Sequence, residues 1–375
     1  MTVKLINRLL QEDRLSDIHE KADNGARLNE KDAIRLYETH NLNLLGWLAN
    51  GVRKRKHGDK AYYILNRHIN YSNICVLACQ FCSFAKKKHD AGAYELSLEE
   101  MAQKAEQAKR HGVTEIHLVG GMHPLWKFDR YEAILRTLKK IVPQTHIKAF
   151  TAAEILHLAR KDKKGTQDVL EGLRSAGMDS LAGGGAEIFS QRVRNLVCRG
   201  KETAAEWLDV HRIWHRMGGR STCTMLYGHL ETPAERVDHL RQLRALQDET
   251  GGFLAFVPLP FHSRNNRLSH LQEPTGSENL RNLAVARLYL DNFNHIKCYW
   301  ISHGLKLAQV SLDYGVDDLD GTILEERIYH TAGAQTPQRQ TADAMIRTIR
   351  EAGRIPVQRD SLYREIAANR PHVAN

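Results

Sequence analysis

No apolar run in this chain of 375 residues approaches the ~18 that a membrane-crossing helix needs, so no transmembrane segment is expected. No leader is expected either. Met1-Thr-Val-Lys-Leu-Ile-Asn-Arg-Leu-Leu10 runs into the charged Gln11-Glu-Asp-Arg14 with no small-residue cleavage site, and reads as a helix of the mature protein. Cysteine is scarce, at six, which without a leader excludes a disulfide framework and points to a reducing, cytoplasmic setting. Neither an internal repeat nor a low-complexity segment interrupts the chain, which excludes a solenoid. Nucleic-acid motifs are absent as well, although the net charge is +10. Basic residues are spread along the chain, with short clusters at Arg53-Lys-Arg-Lys56 and Lys86-Lys-Lys88. An acidic small molecule or an acidic electron-transfer protein accounts for that surplus without nucleic acid.

Half of the cysteine falls in one run, Asn73-Ile-Cys-Val-Leu-Ala-Cys-Gln-Phe-Cys-Ser-Phe84, with the spacing C-x3-C-x2-C at Cys75, Cys79 and Cys82. Structural zinc uses four protein ligands in paired C-x2-C or C-x2-H form, and no second such pair follows here. Three thiolates on one loop suit three irons of a cubane cluster, leaving the fourth iron open to a small molecule. Cys198, Cys223 and Cys298 lie far apart in sequence and read as small buried hydrophobes.

Length and composition admit either one α/β barrel with terminal additions or two domains. Residues 1–60 show helical spacing at Ala33, Leu36 and Tyr37, then Leu42, Leu44, Leu45, Leu48 and Ala49, and predict an N-terminal helical cap. Strands are expected at Arg67–Tyr71, Glu115–Val119, His146–Phe150, Ser180–Ala182, Ser221–Leu226, Phe253–Val257 and Lys297–Ile301. Helices are expected between them at 97–111, 129–142, 166–176, 202–217, 232–249 and 277–292, several opened by caps such as Ser97 and Thr232-Pro233. Strand then helix, repeated every thirty to forty residues or so, predicts a parallel (β/α) barrel over 61–310. An open doubly wound sheet is the alternative; polar and glycine residues recurring just after the strands favour the barrel, whose active site gathers there. Residues 311–375 read as an extension packing on the barrel, with loops at Asp317–Gly321 and Ala332–Gln335, a helix at Thr341–Ala352 and an extended tail at Arg354–Tyr363.

On that plan the cysteine loop follows the first strand and lies at the barrel mouth. Phe81, before the third cysteine, reads either as loop packing or as an aromatic cover that contacts an adenine. Gly120 and Gly121 follow the second strand and let backbone approach a ligand closely. Gly183-Gly184-Gly185 follows the fourth, with Glu187 either solvated on a tight turn or bonding ribose hydroxyls or a cation.

The cysteine loop and glycine-rich strand ends resemble the radical S-adenosylmethionine (SAM) enzymes. Within them, Asn70-Tyr-Ser-Asn-Ile-Cys75, Cys79-Gln-Phe-Cys-Ser-Phe84, Val119-Gly-Gly-Met-His-Pro124, His146-Ile-Lys-Ala-Phe-Thr-Ala-Ala-Glu154, Ala182-Gly-Gly-Gly-Ala-Glu-Ile-Phe189, Phe253-Leu-Ala-Phe-Val-Pro258 and Leu288-Tyr-Leu-Asp-Asn-Phe293 resemble the aminofutalosine synthases of menaquinone biosynthesis. Dehypoxanthine futalosine cyclases and the radical enzymes that build the deazaflavin chromophore share the loop and the barrel. The resemblance runs from about residue 30 to 360. It implies a radical SAM TIM-like barrel with one 4Fe-4S cluster on Cys75, Cys79 and Cys82, SAM as co-substrate, and flavodoxin or ferredoxin as electron donor. It also implies 3-[(1-carboxyvinyl)oxy]benzoate as the small-molecule substrate, with no nucleic-acid or membrane partner. Phe81, Gly120, Gly121, Thr151, Glu154 and Glu187 are then expected around SAM, although Ala152, Ala153 and Glu154 also read as a helix start. A substrate with two carboxylates needs cationic or hydrogen-bonding groups at strand ends. Candidates are His68, Asn70, His123, Gly184, His229, His262 and Arg264; each lone histidine reads more often as a surface or satisfied core residue.

Overall fold

The computed structural model of the protein describes residues 3–367. The N-terminal periodicity is realised as four helices, Val3–Glu12, Ser16–Asp23, Glu30–Glu38 and Leu42–His57. The last two pack on the outside of helices Pro233–Thr250 and Gly276–Tyr289, fastened by the buried Tyr37 hydroxyl to Asn282 Oδ1 at 2.6 Å and by Arg244 to the Leu28 carbonyl at 2.8 Å.

Ten strands follow in chain order: β1 Lys60–Ile64, β2 Asn66–Ile69, β3 Glu115–Leu118, β4 His146–Thr151, β5 Ser180–Ala182, β6 Arg220–Tyr227, β7 Phe253–Pro260, β8 His295–Ile296, β9 Asp318–Gly321 and β10 Ile355–Gln358. Strands β2 to β8 form one parallel sheet in sequential order, curled into a half-barrel with helices on its outer face. This is the parallel (β/α) barrel type of fold that the alternation of strand and helix predicts. The intervening helices start where short polar side chains can cap them. Ser97, Thr151, Thr203 and Thr232 each complete a capping box with a glutamate three residues on, each worth about 1 kcal/mol to its helix. Between sheet and helices sit large apolar side chains, among them the fully buried Trp207, Trp214 and Trp300.

Three parts of the sequence reading are corrected. The run Lys297–Ile301 is not a strand: β8 ends at Ile296, and Trp300–His303 is one turn of helix. β1, at the start of the expected barrel, precedes the first expected strand, Arg67–Tyr71, and has no counterpart among the expected strands. Asp317–Gly321, expected as a loop, supplies β9, which pairs in parallel with β1 and meets the β8 side through the Lys297–Asp318 bridge. Asn66, at the start of β2, ties to the other side of β9: its amide bonds Thr322 Oγ1 at 3.1 Å and its side chain bonds Asp320 at 3.0 Å. The C-terminal segment therefore sits in the gap between the two ends of the sheet. Polar, acidic strands of this kind escape an apolar-run reading because charge partners, not apolar neighbours, stabilise their burial.

Candidate active site

The cysteine loop leaves the C-terminal end of β2 and is pinned on every side. The Cys75 amide bonds the Lys86 carbonyl at 3.0 Å, Val76 bonds Met122 at 2.9 Å and Gln80 bonds Val197 at 2.7 Å. The Lys87 ammonium collects three carbonyls of the loop, those of Cys75, Val76 and Leu77, at 3.0, 2.9 and 3.2 Å. One lysine of the Lys86-Lys-Lys88 basic cluster is thus a clamp. Gly121 is required by the loop itself: a Cβ there would lie 2.4 Å from the Ile74 carbonyl oxygen. Gly183 is held equally close to β6, 2.4 Å from the Thr222 carbonyl oxygen.

Cys75, Cys79 and Cys82, with Phe81, Gly120, Gly121, Thr151, Glu154, Gly184 and Glu187, line one cavity of about 340 Å³ at the C-terminal ends of the strands. All three thiols are unpaired. Burial pushes the Cys79 and Cys82 thiols up, so their thiolates need a bound cation to form. Three convergent soft donors at the mouth of a cavity fit an iron–sulfur cluster, and the Ala85 N–H already points at Cys82 Sγ from 3.4 Å.

Thr151 and Glu154 do start a helix, Ala152–Asp162, through a capping box. Glu154 does more than cap. One of its oxygens accepts the Tyr71 hydroxyl at 2.5 Å and the Gly120 amide at 3.2 Å; the other accepts the Thr151 amide and hydroxyl, both at 2.7 Å. Both oxygens are occupied, so Glu154 joins β4 to the Gly120-Gly121 turn. Burial raises its carboxyl to about 7 despite those bonds. A folded value above the unfolded ~4.3 means the folded state binds more protons, so this group's contribution falls as pH rises from about 4.5 to 7, by on the order of 3 kcal/mol. Denaturant titrations across that window should give a negative slope of stability with pH that disappears in Glu154→Gln; an unchanged slope would refute the assignment.

Glu187 is not solvated. It sits at φ +51° and pairs with the buried Lys201 ammonium. Burial works against that ammonium, but the carboxylates of Glu187 and Glu202 outweigh it and hold the lysine charged. Of the remaining expected residues, His68, Asn70 and His262 line the cavity; Asn70 Nδ2 donates to the Val119 carbonyl at 3.2 Å and His262 Nε2 to that of Ser302 at 2.8 Å. The other three do not line it. His123 stacks on Trp126 at 4.7 Å, lies 2.8 Å from Glu95 and caps the Leu125 and Trp126 amides. His229 is buried against Glu231 and accepts the Leu230 amide at 2.7 Å. Arg264 packs on Gly333, and its carbonyl accepts the Ser83 hydroxyl.

The sequence reading missed Lys148, Lys201, His117, Lys297, Asp320, Tyr299, Glu326 and Tyr329, all in the lining. For Lys148 a signal existed. It alternates with the buried Ile147 and Ala149 in β4, so a two-residue period puts it on the inner face.

A family model described as "Radical SAM superfamily" matches residues 69–243, and one described as "CofH/MqnC C-terminal region" matches residues 250–371. The "Aminodeoxyfutalosine synthase" of Thermus thermophilus is 47% identical, covering 96% of this chain and 98% of its own. The "5-amino-6-(D-ribitylamino)uracil--L-tyrosine 4-hydroxyphenyl transferase" of Methanosphaerula palustris is 41% identical over 90% and 94%. The "Cyclic dehypoxanthine futalosine synthase" of Streptomyces coelicolor is 38% identical over 95% and 90%. Among solved structures, methylornithine synthase (PylB) superposes with a TM-score of 0.74 at 16% identity, covering 90% of this chain and 97% of its own; that likeness concerns the fold. The chain belongs to the radical SAM superfamily, in the branch that carries the CofH/MqnC C-terminal region and includes aminodeoxyfutalosine synthases. It is a radical SAM enzyme that forms a carbon–carbon bond, using a 4Fe-4S cluster and SAM. Among the described residues no helix is long and apolar enough to cross a membrane.

Proposed function

We propose that the protein is an aminofutalosine synthase, joining the 5′-deoxyadenosyl group of SAM to 3-[(1-carboxyvinyl)oxy]benzoate to give 6-amino-6-deoxyfutalosine in menaquinone biosynthesis. The observation that carries the reading is the 47% identity to the Thermus synthase along almost the whole of both chains. When bound, the cluster and SAM would supply a 5′-deoxyadenosyl group for bonding to the vinyl carbon, with methionine as the leaving group; overall one substrate carboxylate is lost as carbon dioxide or bicarbonate, and the electron that cleaves SAM is given back. Cys75, Cys79 and Cys82 hold the cluster as its three protein ligands. Gly120, Gly121, Glu187 and Phe81 surround SAM, with Lys201 fixing Glu187. Thr151 and Glu154 hold the Gly120 turn in place. Ile328, Tyr329 and Ala332 complete an apolar wall of the cavity, which keeps water and stray hydrogen donors from the reacting atoms. The electron comes from a flavodoxin or ferredoxin in the cytoplasm, and the protein acts without nucleic acid or membrane.

The 41% identity to the Methanosphaerula transferase supports a second reading, in which L-tyrosine and 5-amino-6-(D-ribitylamino)uracil are the substrates. Anaerobically reconstituted, reduced protein with SAM should convert the enolpyruvyl benzoate to an adenosyl adduct and give no product with the tyrosine pair. Free 5′-deoxyadenosine with no adduct would refute the synthase; product from the tyrosine pair would establish the second reading.

A further inference from the structure

Below the cysteine loop the cavity has a charged floor. Strand register sets His68, His117 and Lys148 side by side across β2, β3 and β4, and all three line the cavity. His117 stands three residues before Gly120, about 10 Å deeper along the strand. Lys148 Nζ bonds Glu115 Oε1 at 2.7 Å, Lys297 lies 3.4 Å from Asp320 Oδ2 and Arg359 bonds Asp318 at 2.6 Å. Tyr299 lies parallel to the His68 ring at 6.0 Å and closes the row. The buried Nδ1 of His117 has no hydrogen-bond partner.

We propose that this floor is a binding subsite for the ring carboxylate of an aromatic acid, held between Lys148 and Lys297 against His68 and His117. The inference rests on the synthase reading, whose substrate carries one carboxylate on the ring and one on the vinyl group. Seating the ring carboxylate at the floor directs the other end toward the cluster loop. A buried carboxylate must meet charge-assisted donors, and these lysines are the cations in the lower cavity wall. Their charges are already matched. Lys148, Lys297 and Arg359 stand against Glu115, Asp318 and Asp320, and Glu326 is engaged by His330 at 2.9 Å. An incoming anion therefore brings one unmatched negative charge. Burial holds His68 neutral, with Lys148 adding to that effect and Asp320, Glu326 and Glu115 opposing it. Burial, Lys148, His68 and Lys297 hold His117 neutral against Glu115. The His68–His117 pair, with ring centroids 4.7 Å apart, is the group able to take the compensating proton, so binding draws one proton from solvent.

Calorimetric titration of the cluster-loaded enzyme with 3-methoxybenzoate and its uncharged amide, 3-methoxybenzamide, in buffers of different ionisation enthalpy, tests this without turnover. The acid should bind at least about tenfold more tightly than the amide, with proton uptake near one per site that is lost when His68→Gln and His117→Gln are combined. The paired variants Glu115→Gln with Lys148→Met and Lys297→Gln with Asp320→Asn remove each ion pair whole and should each weaken the acid selectively, whereas Lys148→Arg should retain it. Equal binding of acid and amide, or acid binding unmoved in both folded pair variants, would overturn the subsite. If the wild type binds the acid yet forms no adenosyl adduct, the synthase reading fails and the subsite stands. If adduct forms with unchanged KM in the pair variants, the reverse holds.

Discussion

Cys82→Ala is expected to leave a folded protein without an intact cluster, and to lower adduct formation by at least about three orders of magnitude, or ~4 kcal/mol of barrier. The fold should survive because the loop is held by other groups. Lys87 binds three of its carbonyls, backbone bonds tie it to Met122 and Val197, and all three cysteines line the cavity. The cluster should not survive, because two thiolates leave a second iron unligated and nothing nearby replaces Cys82. Cys198 is the informative control. It is a buried thiol in the neighbourhood of Cys79, but it does not line the cavity, and Cys198→Ala should keep its iron and activity. Iron and sulfide analysis of the reconstituted variants, with product analysis, checks both. Full iron in Cys82→Ala, or its loss in Cys198→Ala, would refute the assignment of ligands.

The cysteine loop was legible because its chemistry is compressed into eight residues. The strands β3 to β7 were legible for a different reason: their apolar runs alternate with well-capped helices. β5, expected at Ser180–Ala182, is found there. Other features depend on partners far away in the chain. Nothing local marks Asp318 and Asp320 as strand residues, since their partners Arg359 and Lys297 are supplied by other segments. His123 and His229 looked like site residues because they follow strands, yet each is turned aside to cap backbone amides. A position just after a strand puts a residue near the mouth; which way its side chain points is decided by the nearest acceptor or donor. Lys201 was invisible as a site residue because it lies in the turn after Gln191–Val197 and is drawn in by Glu187.

The seam that closes the barrel carries the other large expectation. Arg287→Met should destabilise the protein by about 3–5 kcal/mol, the cost of leaving a buried charge without its partner. Arg287 and Asp317 are both fully buried and paired. The guanidinium also donates to the Gly315 and Asn294 carbonyls at 2.7 and 2.9 Å. Asp317 in turn accepts the Ile296 amide at 2.9 Å and His295 Nδ1 at 2.6 Å, so one carboxylate fastens β9 to β8. Burial alone would raise that carboxyl, but His295 and Arg287 outweigh it and hold it well below the ordinary carboxylate range. A depressed folded value gives stability that is present above the unfolded ~3.9 and lost as pH falls toward the folded value. In Arg287→Met much of that contribution is already gone, so acid should cost the variant less than the wild type. Adding Asp317→Asn to Arg287→Met should restore part of the loss at pH 7, because no unpaired charge then remains buried. Urea unfolding of the three proteins at pH 7 and at about pH 2.5, below the unfolded carboxyl value, measures each step. The seam also bears on the site. Lys297, just after β8, and Asp320, on β9, both line the cavity, so a loosened seam should weaken binding of 3-methoxybenzoate in the variant while it is still folded. A variant as stable as the wild type, or a double variant no more stable than Arg287→Met, would remove the buried pair from its place at the closure of the barrel.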